Sequence, residues 1–255
     1  MKIRKFGAAL AGALVLSVTT AVAPTPAHAY TGDPVIIVGG TFAGQGLASV
    51  YYAPLKARLQ ADGYRAYIWG LPNGGLTDAR DSAKALNVYV DAVRASTGAA
   101  RVDLVAHSQG AMVSRYYIKY LGGVNEVDSL TSLGGVMYGT SLANLATLLG
   151  IGNCLGFVGC QQMSIGSSFL NDLNAGDDTI GNVRYTNIVT SMDEIIVPYT
   201  NGYLNNDGNN YNSNVRGPCW GRIIGHVSIA LDGAVYSGIQ DALAKRTIDY
   251  NCWAV

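Results

Sequence analysis

The segment Val102-Asp103-Leu104-Val105-Ala106-His107-Ser108-Gln109-Gly110 lies near the middle of the 255-residue chain. Residues 102–106 are mostly apolar and predict a buried strand, and residues 109–121 have the spacing of an amphipathic helix. Ser108 therefore lies at the turn between strand and helix, with small residues two positions before and two positions after it. An A-x-S-x-G sequence in this setting is typical of a nucleophile elbow. The alternative is that the Ser108 hydroxyl only caps the helix.

The rest of the chain also alternates between strands and helices. Apolar runs bounded by Gly, Asp or Asn predict further strands at residues 35–38, 64–69, 130–136 and 185–190. Helical spacing of apolar residues recurs over residues 47–61 and 79–95. Strands this apolar, joined by long helices, are typical of a parallel sheet that is covered on both faces. We therefore predict an α/β fold with a mostly parallel central sheet and helices on both faces.

The first 29 residues have the pattern of a secretory signal peptide. Three basic residues precede an apolar run over residues 6–18, and Ala27-His28-Ala29 is a small-residue cleavage site. We expect cleavage after Ala29, with residues 30–255 forming a single catalytic domain of a secreted, extracellular protein.

The charge balance of the chain bears on nucleic-acid binding, and its hydropathy bears on whether it crosses a membrane. The whole chain has 17 basic and 17 acidic residues, so loss of the three basic residues in the signal peptide leaves a net charge of −3. This balance argues against a nucleic-acid partner. Residues 141–163 are the nearest to a second apolar span of roughly 18 residues, but polar residues interrupt them. We predict no nucleic acid partner and no membrane span.

Four cysteines in a chain that enters an oxidising compartment predict two disulfides. Three pairings are possible. We favour Cys154 with Cys160, which would close a tight surface loop, and Cys219 with Cys252, which would tie down the C-terminal tail. The spacing and the nearby histidines that a zinc site needs are absent from the sequence.

A serine hydroxyl needs a neighbouring imidazole to accept its proton. The chain has three histidines, and His28 leaves with the signal peptide. His107 is adjacent to Ser108, where consecutive side chains diverge too far for a good hydrogen bond. His226, which follows Gly225 and precedes an apolar stretch, is therefore the predicted base. The alternative is that His226 is a core or helix-capping histidine.

The imidazole in turn needs a carboxylate. In chains with a nucleophile elbow, this carboxylate falls between the serine and the histidine in the sequence. The acidic residues in that interval are Asp128, Asp172, Asp177, Asp178, Asp193, Asp207, Glu126 and Glu194. Asp193 is the predicted acid because it follows a buried strand and precedes apolar residues, whereas its neighbour Glu194 is excluded. Asp177 and Asp178 lie in a polar turn and are expected to be solvated, and Asp207 is expected at the surface. The alternative for Asp193 is a turn or capping carboxylate.

Acyl transfer also needs donors that stabilise the developing oxyanion. The amide of Gln109 begins the helix after the nucleophile and is the first predicted donor. The second is expected in residues 39–44 after the first strand, where we choose Thr41 by its amide and its hydroxyl. A nucleotide-phosphate loop is disfavoured there, because neither G-x-G-x-x-G nor a GK[ST] ending is present, and an ordinary turn is the other alternative.

With these residues assembled, the chain resembles the secreted α/β-hydrolase lipases, in particular the group of Candida antarctica lipase B and related bacterial lipases. The segments that carry the resemblance are Val38-Gly39-Gly40-Thr41, Ser108-Gln109-Gly110, Thr186-Asn187-Ile188-Val189-Thr190-Ser191-Met192-Asp193-Glu194-Ile195-Ile196-Val197-Pro198, and Cys219 shortly before His226. The segments between these motifs match poorly.

This resemblance implies an α/β-hydrolase fold over residues 30–255 and a catalytic triad of Ser108, Asp193 and His226. It also implies that Thr41 donates to the oxyanion through amide and hydroxyl, that Gln109 donates through its amide, and that Cys219 pairs with Cys252. Ala106 replaces the glycine that commonly precedes the elbow in this family, which removes no chemical group from the mechanism.

Two segments outside these motifs bear on substrate and metal binding. Residues 141–165 are apolar and rich in small residues, which predicts either a wall or lid of an acyl pocket that contacts a lipid interface, or a buried helix pair. Residues 205–214 are rich in Asn and predict a surface loop. A calcium site around Asp207 is not expected, because the acidic ligand set is missing.

We predict from these observations a serine esterase or lipase that acts through an acyl-enzyme on Ser108 and needs no cofactor or metal. The expected substrate is a triacylglycerol or another hydrophobic ester, with transient contact to a lipid interface. Two other classes stay open, namely an acyltransferase on the same scaffold and a non-catalytic extracellular binding protein.

Overall fold

The computed structural model describes residues 32–141, 154, 156–205 and 208–255. The predicted signal peptide, most of the apolar segment between residues 142 and 155, and Asp207 lie outside the described residues.

Six strands form one sheet in the order β2-β1-β3-β4-β5-β6, and every described pair of neighbours is parallel. The strands are β1 Val35–Val38, β2 Ala66–Trp69, β3 Val102–His107, β4 Val127–Leu133, β5 Arg184–Val189 and β6 Asn210–Asn214. The predicted α/β class with a parallel sheet is confirmed.

Helices cover both faces of the sheet. They are α1 Gln45–Tyr51, α2 Ala53–Ala61, α3 Ala79–Thr97, α4 Gln109–Tyr120, α5 Val158–Gln162, α6 Ser168–Asn174 and α7 Gly233–Leu243. Alternate residues of β1 point to opposite faces, so Ile36 and Val38 pack in the core with α3 and α4, whereas Val35 and Ile37 pack with α1, α2 and α7. All four side chains are buried, which explains the uninterrupted apolar run of this strand.

The strand order places a crevice at the carboxyl ends of β1 and β3. From β1 the chain passes to β2 on one side and then to β3 on the other side, so the connections diverge between β1 and β3. Ligands of open α/β sheets bind at such a point. Thr41 follows β1 and Ser108 follows β3, so the topology brings both residues to this crevice.

The helix predicted over residues 47–61 is divided into α1 and α2 at Tyr52. Pro54 lies in the first turn of α2. Within a continuous helix its ring would clash with the carbonyl of residue 50 and it would lack the N–H for the helical hydrogen bond. The break leaves the Tyr52 side chain buried beneath the crevice.

Two predictions for β4 and β6 are wrong, one in the bounds of a strand and one in the type of element. The strand predicted over residues 130–136 begins at Val127 and ends at Leu133, because the chain turns at Gly134, which has φ +54°. The Asn-rich segment predicted as a loop contains the edge strand β6. Its asparagines pair with the neighbouring strand through their side chains, since the Asn187 amide donates to Asn210 Oδ1 at 2.7 Å and to Asn212 Oδ1 at 2.9 Å.

No helix within the described ranges combines the length and the apolar character that a membrane crossing requires.

Candidate active site

Ser108 occupies a strained turn between β3 and α4, with φ 54° and ψ −125°. Its N–H donates to the carbonyl oxygen of Leu133, and its own carbonyl oxygen accepts from the N–H of Ala111. Gly110 is required here, because a Cβ atom would lie 2.5 Å from the carbonyl oxygen of Gly39. The Ser108 hydroxyl makes no capping hydrogen bond to the helix. The helix-cap alternative is therefore wrong, and the elbow geometry is present.

The structure brings together the three side chains of the predicted triad. Ser108 Oγ lies 2.9 Å from His226 Nε2, and His226 Nδ1 lies 2.9 Å from Asp193 Oδ2. The three residues are 4%, 2% and 7% exposed, so the chain of hydrogen bonds is shielded from bulk water, where it would be weaker. A nucleophile, a base and an orienting carboxylate in this geometry can perform acyl transfer.

Asp193 makes the contacts expected of both alternatives, a turn-capping carboxylate and a partner of the His226 ring. Its Oδ1 accepts from the backbone N–H groups of Ile195 and Ile196, at 2.9 and 2.7 Å, which holds the turn after β5. Its Oδ2 is thereby aimed at the ring of His226. The carboxylate thus caps the turn with one oxygen and orients the imidazole with the other.

The other acidic candidates lie in different surroundings. Asp177 is exposed as expected, but Asp178 is only 4% exposed, so the prediction of a solvated Asp178 is wrong. Its Oδ2 accepts from the Tyr138 hydroxyl at 2.6 Å and from the N–H of Asn205 at 3.1 Å, two partners that are distant in sequence. Asp178 is a buried structural carboxylate.

The two predicted oxyanion donors flank the serine. Among the residues that the structure describes, the backbone N–H groups of Thr41 and Gln109 donate to no protein acceptor. The Thr41 hydroxyl donates to Gln109 Oε1 at 2.9 Å, and Gln109 Nε2 donates to the carbonyl oxygen of Gly75 at 2.7 Å. The side chain of Gln109 therefore fixes the Thr41 hydroxyl, and the two amides are the donors left for a ligand.

A pocket of about 180 Å³ opens beside the serine. Its lining is mostly apolar and is formed by residues of the crevice and of α1. The lining residues are Thr41, Ala43, Leu47, Tyr51, Tyr52, His107, Ser108, His226 and Val227. The size and the lining of this pocket suit a small hydrophobic group.

Residues 32–214, more than half of the chain, match the family model described as lipase (class 2). The chain belongs to the class 2 lipase family.

Curated relatives of this family member are bacterial triacylglycerol lipases. The triacylglycerol lipase of Burkholderia plantarii is 33% identical over 140 residues, which cover 53% of this chain and 38% of the relative. The triacylglycerol lipase of Pseudarthrobacter phenanthrenivorans is 32% identical over 120 residues, which cover 46% of this chain and 37% of the relative. The matched region therefore spans less than half the length of either relative.

Solved structures share the fold of this class 2 lipase family member at low sequence identity. Lipase B of Aspergillus fumigatus superposes with a TM-score of 0.70 at 18% identity, over 83% of this chain and 52% of that protein. A carboxylesterase structure from Nitrososphaera gargenis superposes with a TM-score of 0.60 at 11% identity, over 84% and 91% of the two chains. The fold is that of the α/β hydrolases.

The cysteines of this family member are paired as predicted. Cys154 is bonded to Cys160, and Cys219 is bonded to Cys252. The first disulfide lies within the apolar segment, residues 141–165, that was predicted to be a lid, a pocket wall or a buried helix pair. Residues 142–153 and 155 of that segment lie outside the described residues, whereas α5 packs against the loop before α3, with the N–H of Gly159 donating to the carbonyl oxygen of Leu76.

Three residues near the site were missed or set aside in the sequence. Glu194 Oε2 accepts from the backbone N–H of His226 at 2.9 Å. His107, judged too divergent to bond Ser108, contacts instead the backbone carbonyl of His226 and the hydroxyl of Tyr52. The position of His107 next to Ser108 was the one sequence signal that could have pointed to these residues. Their contacts join parts of the chain that are distant in sequence.

Proposed function

We propose that this member of the class 2 lipase family is a secreted serine hydrolase of carboxylic esters. Its triad is Ser108, His226 and Asp193, and it acts through a covalent acyl-enzyme on Ser108. The observation that carries this proposal is the continuous hydrogen-bonded chain from Ser108 Oγ through both ring nitrogens of His226 to Asp193 Oδ2.

Acylation begins when Ser108 Oγ attacks the ester carbonyl carbon while His226 Nε2 takes the hydroxyl proton. The carbonyl oxygen becomes an oxyanion, which the amides of Thr41 and Gln109 stabilise. Asp193 accepts from Nδ1–H and stabilises the imidazolium. The tetrahedral intermediate then breaks its bond to the alkoxy oxygen, His226 protonates that oxygen, and the alcohol leaves.

Deacylation repeats these steps with water as the nucleophile. His226 Nε2 takes a proton from water as the water oxygen attacks the acyl carbon, and the same two amides stabilise the second oxyanion. Collapse of this intermediate breaks the acyl bond to Ser108 Oγ, which recovers its proton from His226. The product is a carboxylic acid, and no step needs a cofactor.

The proposed substrate is a hydrophobic ester, such as a triacylglycerol, which is presented at a lipid interface. The pocket beside Ser108 supports this assignment, because Ala43, Leu47 and Val227 give it an apolar wall. Two large apolar side chains that line it are exposed, Leu47 at 57% and Val227 at 51%. The names of the curated relatives, triacylglycerol lipases, support the same substrate class.

The proposed route to that substrate is export, with cleavage after Ala29. Support comes from the pattern of the first 29 residues and from two disulfides, which form and persist in oxidising compartments. Residues 30–255 would then be the mature catalytic domain.

The test uses protein recovered from the culture medium, treated with a fluorophosphonate and analysed by mass spectrometry. We expect the mature chain to begin at Tyr30 and to carry one phosphonyl adduct on Ser108. Hydrolysis of an ester chain-length series should fall by about 10⁶-fold in Ser108→Ala, which should not be labelled.

Other outcomes would identify a different function. A folded wild-type protein that is neither labelled nor active would be a binding protein and would contradict the proposal. Acyl transfer to added alcohol in preference to water would instead identify an acyltransferase. An adduct on another residue would contradict the assigned nucleophile.

A further inference from the structure

His107 is buried directly behind the proposed catalytic histidine, and both of its ring nitrogens are hydrogen bonded. His107 Nε2 lies 2.9 Å from the backbone carbonyl oxygen of His226. His107 Nδ1 lies 2.8 Å from the hydroxyl of Tyr52. His107 is 7% exposed and Tyr52 is 1% exposed, so neither side chain has an alternative partner in bulk water.

The direction of each hydrogen bond follows from the partners. A backbone carbonyl can only accept, so Nε2 of His107 carries the proton and Nδ1 accepts from the Tyr52 hydroxyl. The Tyr52 oxygen accepts in turn from the backbone N–H of Gly40 at 3.0 Å. Burial lowers the pKa of His107 to about 3, so the ring stays neutral and keeps this single tautomer.

These bonds form one directed path between two loops. The path begins at Gly40 in the oxyanion loop, residues 39–44, and passes through Tyr52 and His107 to the histidine loop, residues 225–227. It connects the backbone next to the oxyanion donor Thr41 with the backbone that carries His226. The pocket of about 180 Å³ lies between the same two loops.

Two further contacts hold the histidine loop. Glu194 accepts from the N–H of His226, so the N–H and the carbonyl of this residue are both bonded. The Tyr51 hydroxyl donates to the carbonyl oxygen of Val227, the next residue along the loop. The His226 ring is therefore placed by its backbone as well as by Asp193.

We propose that Tyr52 and His107 are positioning residues that hold the oxyanion loop and the histidine loop at the separation the reaction needs. This inference rests on the proposed function. A misplacement of about 1 Å between reacting groups can cost about 100-fold in rate, so a fixed spacing between base and oxyanion donors affects turnover. Neither side chain touches the reacting atoms.

The first test compares Tyr52→Phe with Tyr117→Phe. Each change removes one hydroxyl from a buried tyrosine, but the Tyr117 hydroxyl bonds Glu126, far from both loops. On a soluble butyrate ester, we expect kcat of Tyr52→Phe to fall roughly 10-fold with KM within about 2-fold of wild type. The rate of fluorophosphonate labelling at Ser108 should fall by the same factor. Tyr117→Phe should lower the Tm and leave kcat and the labelling rate unchanged.

The second test asks whether a donor at the Nε2 position of His107 is what matters. The terminal amide of His107→Gln can donate to the His226 carbonyl, whereas His107→Leu cannot. We expect His107→Leu to lose between about 10-fold and 100-fold in kcat and His107→Gln to recover most of it. If His107→Leu fails to fold, the comparison of Tyr52→Phe with Tyr117→Phe still decides the question.

Failure of the positioning role is distinguishable from failure of the proposed function. An active, labelled wild type whose Tyr52→Phe variant keeps kcat and labelling rate within 2-fold overturns the positioning role alone, as does a His107→Gln variant no better than His107→Leu. A wild type that is neither active nor labelled overturns the proposed function and, with it, this inference.

Discussion

Two aspartates are buried to nearly the same extent, one where the strands of the sheet end and one where they begin. Asp193 is 7% exposed at the carboxyl edge, after β5, and Asp103 is 6% exposed near the amino end of β3. Asp193 accepts from two backbone N–H groups and from the ring of His226. Within the described part of the chain, Asp103 accepts from one side chain, the hydroxyl of Ser129 at 2.6 Å. The two sites differ in the number of donors, not in burial.

For Asp103, the surroundings bear on the charge that the carboxyl can carry. Burial is the main cause that raises the pKa of Asp103 to about 7; the Ser129 hydroxyl and Lys245 lower this pKa, and the nearby carboxylates of Asp128 and Asp33 raise it. At Asp193, two backbone N–H groups and the ring of His226 supply hydrogen-bond donors to both carboxylate oxygens, which is the arrangement that the proposed orienting role needs. Burial alone therefore does not make a carboxylate suitable for the proposed triad, because the N–H donors must be present as well.

The largest expected effect comes from replacing each aspartate by asparagine. Asp193→Asn keeps the shape of the side chain but removes the anion and permits the wrong tautomer of His226, so kcat on a soluble ester should fall about 10⁴-fold. Asp103→Asn should leave kcat within 2-fold of wild type, because Asp103 lies at the other end of β3 from Ser108. Steady-state kinetics of both variants measure this. A comparable loss of kcat in the two would show that the two carboxylates do not have separate roles.

Asp103 should instead make the stability of the protein depend on pH. Its folded-state pKa of about 7 lies above the ordinary value of 3.8, so below pH 3.8 the carboxyl is protonated in both states and costs nothing. Between about pH 4 and pH 7 the unfolded chain ionises first, and the contribution of Asp103 to the free energy of unfolding falls by at most about 4 kcal/mol. Asp103→Asn cannot titrate, so its stability relative to wild type should rise with pH across this window and level off above pH 7.

Urea unfolding of the two proteins at several pH values gives this difference directly. Asp172→Asn is the matched control for the same exchange at the surface, because the Asp172 side chain is 70% exposed. A difference between Asp103→Asn and wild type that stays constant from pH 4 to pH 8 would mean that Asp103 does not titrate in this range.

Local sequence signals sufficed for the parts of the site that depend on local structure. Ser108 was found because the elbow needs a strand, a helix and small flanking residues, all contiguous in the chain. His226 was found because few histidines compete, and Asp193 because it follows a buried strand. The catalytic role of each stays a prediction, although the structure brings their side chains together.

Contacts between segments that are distant in sequence could not be predicted from local sequence patterns. Asp178 lies in a polar turn, and only the approach of Tyr138 and Asn205 makes it a buried carboxylate. The strand β6 has polar side chains throughout, so it carries none of the apolar alternation that identifies a strand, and its pairing depends on Asn187 of β5. The path from Tyr52 through His107 joins residues that are 55 and 119 positions apart.

The smallest expected effect tests the single donor of Asp103. Ser129→Ala removes the hydroxyl that lowers the pKa of Asp103, so that pKa should rise above its present value of about 7. The lost hydrogen bond should cost about 1 kcal/mol at pH 4, where the carboxyl is neutral, and about 2 kcal/mol at pH 8, where it is charged. Ser82→Ala is the matched control, because Ser82 is 1% exposed and its hydroxyl bonds no described residue. If Ser129→Ala lowered stability equally at both pH values, Asp103 would keep one charge state throughout, and the contrast with Asp193 would rest on something other than the number of donors.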